Sequence, residues 1–183
     1  MKRATVLAAG AFTLVEMLVT LAVIAILAAV LMPALAKSKE AGRAAACLGN
    51  LHQIGLALQM YVDENHNRIP IMYDLTNAPA APTNSIDTVL AAQLGSPRAL
   101  LCPSDRQQLF ELTRSSYGWN YLLNGQNADH MQLMGQLLPG TKVPVVFDKE
   151  DFHRALGSSR AVNFLYADGH MKSLLELPGT RPQ

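Results

Sequence analysis

GAFTLVEMLVTLAVIAILAAVLMPALA, Gly10 to Ala36, is the stretch on which the reading of this chain turns. From Leu14 to Ala36 only Glu16 and Thr20 interrupt the apolar run. As a helix it covers roughly 30–35 Å, the thickness of a bilayer's hydrocarbon core. It exceeds the ~7–15 residue apolar region of a secretory signal peptide. Glu16 is the anomaly, because a carboxylate at mid-bilayer costs about 2.5–3.5 kcal/mol of insertion energy and calls for a partner. Once Leu14 and Val15 enter a membrane, Glu16 lies too deep to serve as a solvated helix cap. Pro33, seventeen residues on, is expected to kink or loosen the helix.

Outside that run the chain reads as one ordinary domain. The remainder of about 145 residues suffices for a single core. With 15 Lys and Arg against 14 Asp and Glu, the formal charge is +1, which gives no electrostatic case for a nucleic-acid partner. Lys2 and Arg3 precede the apolar run while Lys37, Lys39 and Arg43 follow it, so basic residues alone do not orient the segment. Cys47 and Cys102 are consistent with one disulfide if the domain faces an oxidising compartment, and sequence leaves that open.

Local signals divide the rest. Helix formers continue from Lys37 to Asp63, with an apolar stripe of Leu48, Leu51, Ile54, Leu58 and Tyr61 that predicts one buried face. A helix of about 50 residues in all would be roughly 75 Å long. Asp63 to Asn67 and then Pro70 end it. The alternation Asp63, Asn65, Asn67 echoes a calcium loop, but Arg68 stands where glycine is needed, so a helix-ending turn is the reading and no cofactor is expected. Residues 74–84 are a loop by composition, Ser85 caps a helix to Leu94, and Ser104 with Gln107 forms a capping box. Strands are expected at Val143 to Phe147 and Ala161 to Ala167, the latter with Val162, Phe164 and Tyr166 on one face. Asp168-Gly169 is a two-residue hairpin signal, returning as His170 to Leu177. The sum is α+β: one long amino-terminal helix packed on a small antiparallel sheet.

Phe12-Thr13-Leu14-Val15-Glu16, behind a short basic leader and ahead of an apolar helix, resembles the processing segment of type IV prepilins and type II secretion pseudopilins. The resemblance implies a pilin-like fold and cleavage by a prepilin peptidase with methylation of the new terminus. Gly10, Ala11 and Phe12 would form the processing site; cutting after Ala11 keeps the family spacing of Glu16 and Pro33, and cutting after Gly10 shifts both by one. It also implies that Glu16 neutralises the amino terminus of a neighbouring subunit. On this reading residues 1–11 are a leader, 12–36 a transmembrane or filament-core helix, 37–63 its amphipathic second half, and 64–183 a globular domain. The implied place is a bacterial inner membrane, single-pass, with the domain in the periplasm or at the surface. The implied partners are other subunits, an assembly platform and lipid. Asn50 to Gly55, Cys102 to Asp105, Ser116 to Asn120 and Phe164 to His170 resemble a large pseudopilin-like family that ends in a His-x9-Asp-Gly motif. Here Ser158 holds the position ten before Asp168, and the nearest earlier histidine is His153.

Two other classes compete. A non-polymerising membrane-anchored binding module would use the same processing signal. A secreted enzyme would be cut at Ala34-Leu35-Ala36 and begin at Lys37. His153, Asp168 and His170 with Asp148, Glu150 and Asp151 are the only candidates for acid/base or metal chemistry. Asp168, Gly169 and His170 are better explained by a turn, the acidic trio by a loop, and His153 by a surface position, so neither catalysis nor a metal is expected. Trp119 with Tyr117 and Tyr121 reads as strand packing, and Met17, Met32, Met60, Met131 and Met134 as apolar packing.

Overall fold

The computed structural model describes residues 13–74 and 84–173. Gly10, Ala11, Phe12, the loop residues 75–83 and the end of the expected last strand, 174–177, lie outside the described residues. The architecture is α+β, with one long helix, α1 (Leu14–Glu64), and a small antiparallel sheet. The chain divides into two compact units, Met1–Ser38 and Lys39–Gln183.

In the first unit the helical residues expose apolar side chains on every side: Leu14, Leu18, Ile24 and Val30 among them. A helix with no polar face has nothing to gain from water, and α1 is long and apolar enough here to cross a membrane. The helix continues through Pro33.

The second unit is built on the remaining part of α1. Cys47, Leu51, Ile54, Leu58 and Val62 form its buried stripe, with Ala57 beside them. Leu48 and Tyr61, expected in that stripe, lie half-buried on its flank. The face is therefore turned slightly from the one the spacing suggested, so that Cys47 points inward. The helix ends as expected: Asn67 donates its N–H to the Val62 carbonyl, and His66 and Asn67 take left-handed φ values of 56° and 59°.

Four strands form the main sheet in the order β1 (Tyr117–Trp119), β4 (Pro144–Asp148), β5 (Phe164–Tyr166), β6 (Met171–Lys172), all antiparallel. A register shift between Pro144 and Val146 marks a bulge in β4. α1 lies so close to β5 that a Cβ on Gly55 would stand 3.2 Å from both methyl groups of Leu165. Tyr117 and Trp119 are buried, and the Trp119 indole N–H donates to Asn124 Oδ1.

Several local expectations are corrected. The helix after Ser85, α2, covers only Ile86–Val89, because Leu90 leaves helical geometry to insert fully into the core. Ser104 makes no capping box; its hydroxyl is turned inward to Glu40, and the Leu109 and Phe110 N–H groups that open the next helix, α3 (Leu109–Thr113), donate to the Asp105 carboxylate. β4 begins a residue later than expected, since Val143 closes a 3-10 turn onto Gly140. β5 is shorter and does not alternate: Leu165 and Tyr166 are both buried, because both faces of the strand are covered. Its hairpin to β6 has three loop residues rather than two, with Tyr166 N–H bonded to His170 O and Gly169 at φ +87°. An unexpected hairpin joins β2 (Gln132–Leu133) and β3 (Gln136–Leu137) through Met134-Gly135, both at positive φ. Met134 is thus a tip residue, 90% exposed, and of the five methionines expected to pack only Met131 is buried. Tyr121, also expected to pack in a strand, is exposed in a 3-10 turn.

Candidate functional site

The first site sits at the start of α1. Glu16 Oε2 accepts the Thr13 backbone N–H at 2.8 Å and the Thr13 hydroxyl at 2.7 Å, while Glu16 N–H reaches Thr13 Oγ1 at 3.3 Å. This is a reciprocal capping box, Thr13 at the N-cap and Glu16 three residues on. The carboxylate satisfies donors that the helix itself cannot and faces the positive end of the helix dipole. The sequence signal of the box is the spacing Thr13-x-x-Glu16.

The second site lies in the core of the Lys39–Gln183 unit. Glu40, on α1, is 3% exposed. Its Oε1 accepts the Ser104 hydroxyl at 2.5 Å and faces His153 Nδ1 at 3.0 Å, and its Oε2 faces Arg43 at 3.5 Å and Arg106 at 3.7 Å. Burial alone pushes the carboxyl up, but the bonds from Ser104 and His153, with the charges of His153 and Arg43, outweigh it and hold Glu40 below its ordinary range. His153 is fully buried, which corrects its reading as a surface residue. Its Nε2 points to Cys102 Sγ at 3.8 Å and Asp148 Oδ2 at 3.6 Å. Asp148, at the end of β4, accepts Asn163 N–H at 2.8 Å, and burial pushes it up to about 7 against that bond.

Cys47 and Cys102 are joined as a disulfide, with Cα atoms 5.1 Å apart. Cys47 comes from the buried face of α1, and Cys102 from the segment after the 3-10 turn Pro97–Leu100, where its N–H donates to Ser116 Oγ. Asn50 ties the same two elements, giving one amide to the Leu101 carbonyl and to the Tyr117 hydroxyl.

The remaining candidates separate. The acidic trio splits, Asp148 buried and Glu150 and Asp151 exposed, the last paired with Arg154 at 3.3 Å. Asp168 and His170 come together across the hairpin loop, Oδ1 to Nδ1 at 2.5 Å, and the His170 ring stacks on Tyr166 at 4.3 Å. Burial pushes the Asp168 carboxyl up, and the bonds from His170 with its charge together outweigh that and lower it. Neither residue is among the partners of His153. Ser158 is exposed, and two successive 3-10 turns, Arg154–Leu156 and Ser158–Arg160, take up the longer spacing from His153 to Asp168. At the end of α1, Asn67 donates to Asp129 and Asn65 to the Tyr61 carbonyl, so both amides serve the helix-ending turn.

A cleft of about 290 Å³ runs between α1 and the β5–β6 hairpin, lined by His52, Gln59, Met131, Val145 and Leu165 among others. The buried cluster, in contrast, is closed to substrate. Its imidazole–carboxylate pair faces a sulfur bridge, and no cysteine among the described residues is free. What it can do is hold charge and sulfur in fixed register, and the two sulfurs with His153 lie within 4.8 Å of one another.

Residues 36–147 match the family described as protein of unknown function DUF1559, and residues 7–32 match the prokaryotic N-terminal methylation motif. The first match includes Glu40, Cys47 and Cys102 and stops short of Asp148 and His153. No curated protein and no solved structure matches the chain significantly. With more than half its length in that match and the methylation motif ahead of it, the chain belongs to the DUF1559 family and is of type IV pilin- or pseudopilin-like kind.

Proposed function

We propose that this chain is a structural subunit of a type IV pilus-like or type II secretion pseudopilus filament. A prepilin peptidase cuts between Ala11 and Phe12, and the new terminus is methylated. The helix from Phe12 then holds the protein in the bacterial inner membrane, single-pass, with the second unit in the periplasm. On assembly, helices of successive subunits pack in a filament core, a head-to-tail arrangement that does not close. Partners are the peptidase, other subunits, an assembly platform and lipid.

One observation carries this reading: an apolar, all-round exposed helix that starts inside a methylation motif and has a single carboxylate in its first turn. Both Thr13 bonds go to Oε2 of Glu16, and Oε1 takes no hydrogen bond from a described residue, so a neighbour's ammonium has an oxygen to meet. Opposite charges in low dielectric attract strongly enough to offset desolvation when the geometry is good.

Mass spectrometry of the mature amino terminus tests it. The expected result is a methylated Phe12; a chain starting at Met1 or Lys37 overturns it. Cysteines introduced along Leu18 to Leu31 separate the filament from a non-polymerising anchored module: cross-linked ladders support the first and single bands the second.

A further inference from the structure

The disulfide, His153 and Asp148 form a group that the filament role does not use. We propose that, when the Cys47–Cys102 bond is reduced, the same four side chains bind one zinc ion. Cys47 Sγ, Cys102 Sγ, His153 Nε2 and an Asp148 carboxylate oxygen would be the ligands.

Three of the four donors, the two sulfurs and the His153 ring, already converge, and Asp148 adjoins that ring at Nε2. Zinc–sulfur bonds of about 2.3 Å and zinc–nitrogen or –oxygen bonds of about 2.0–2.1 Å set ligand–ligand edges of roughly 3.3–3.8 Å. His153 Nε2 lies 3.8 Å from Cys102 Sγ and 3.6 Å from Asp148 Oδ2, and the sulfur and ring atoms all fall within 4.8 Å. Zinc needs its two sulfurs about 3.8 Å apart, so the sulfurs would have to separate once the S–S bond is broken. The ring is oriented as in metal proteins, with Nδ1 on the Glu40 carboxylate at 3.0 Å and Nε2 turned to the ligands. Asp148 adds an independent sign, for its Oδ1 is buried without a hydrogen-bond partner among the described residues.

The step balances. A dithiol reductant gives two electrons and two protons to the disulfide and becomes a disulfide itself. Cys47 and Cys102 leave as thiols, and zinc then displaces their two protons. Disulfide and zinc are mutually exclusive staples of one point in the core, the first suited to an oxidising compartment and the second to a reducing one.

The test uses the full chain in detergent, purified either oxidised or under a phosphine reductant throughout, and titrated with Co²⁺ as the probe. The reduced chain is expected to take up one cobalt per chain with a thiolate charge-transfer band, and the oxidised chain none. His153→Gln is expected to weaken uptake at least tenfold, and Glu40→Gln, which acts only through the ring, by about 10–100-fold. Equal uptake by both redox forms, no uptake by the reduced chain, or uptake unchanged in His153→Gln overturns the proposal. Should His153→Gln not fold, Asp148→Asn serves in its place, and the redox comparison on the unaltered chain stands without either. None of these readouts depends on processing or filament formation.

Discussion

At the scale of single residues, two carboxylates carry opposite lessons. Glu16 caps α1, and the proposed filament would give it a second task, pairing with a neighbour's amino terminus. Glu16→Gln keeps an oxygen for Thr13, so cleavage is expected to proceed normally. Assembly is expected to collapse, because the neutral amide has no charge to offset a neighbour's ammonium away from water. Filament or secretion yield reads this, and a normal yield would sink the pairing role. Asp148 is expected to govern stability in the other direction. Burial pushes it up to about 7, so above its ordinary 3.8 the folded chain keeps a proton that the unfolded chain has released. Its contribution is full below 3.8 and is lost as pH rises toward 7. Glu40, held low, contributes above its ordinary 4.5 and loses that contribution as pH falls. Urea midpoints of the oxidised, metal-free chain between about pH 4 and pH 7 are expected to fall less steeply in Asp148→Asn than in the unaltered protein. An unchanged slope would assign the dependence to other groups.

At the scale of elements, the contact of α1 with β5 sets the tolerance of both. Leu165 is 1% exposed against Gly55, so Leu165→Ala is expected to cost about 2–5 kcal/mol. Gly55→Ala should gain about 1 kcal/mol of helix propensity, yet its methyl would meet both Leu165 methyls at 3.2 Å. The expected outcome is a sign change: destabilising alone, stabilising when combined with Leu165→Ala. A double-mutant cycle by chemical denaturation measures it, and additive effects would mean that the core yields. The same contact explains what could be read from the chain beforehand. Periodicity located α1, and turn residues located its end and the β5–β6 hairpin, because those signals are local. The inward rotation of Cys47 and the two-sided burial of β5 depend on what lies across the core, which no window of sequence contains. His153 was misjudged for that reason. A lone histidine between an acidic loop and two turns looks solvated, and only the fold brings Glu40, 113 positions away, against its ring.

At the scale of the whole molecule, the disulfide closes a loop of 55 residues, which the chain-entropy estimate values at about 4 kcal/mol. Reduction in metal-free buffer is expected to lower unfolding stability by up to that amount, read from denaturant curves with and without a phosphine. A shift below about 0.5 kcal/mol would mean that the unfolded chain is already restrained there. The division at Ser38 and Lys39 separates a part with no polar face from a part with an ordinary core. The buried charge cluster and the β2–β3 hairpin were not announced, because the first joins residues far apart in sequence and the second uses an uncommon turn pair, Met134-Gly135.

Cys47 lies on α1 only nine positions past Ser38, where the second unit begins. Any tension drawn along the helix backbone reaches that sulfur before it reaches Leu51, Ile54 or Val62. The Glu40 bonds to Ser104 and His153 come before it, and the covalent link transmits the pull straight to the segment at Cys102, so the hydrophobic contacts behind it are sheltered from peeling one by one. A subunit hauled by its tail would yield mechanically only after that link is cut.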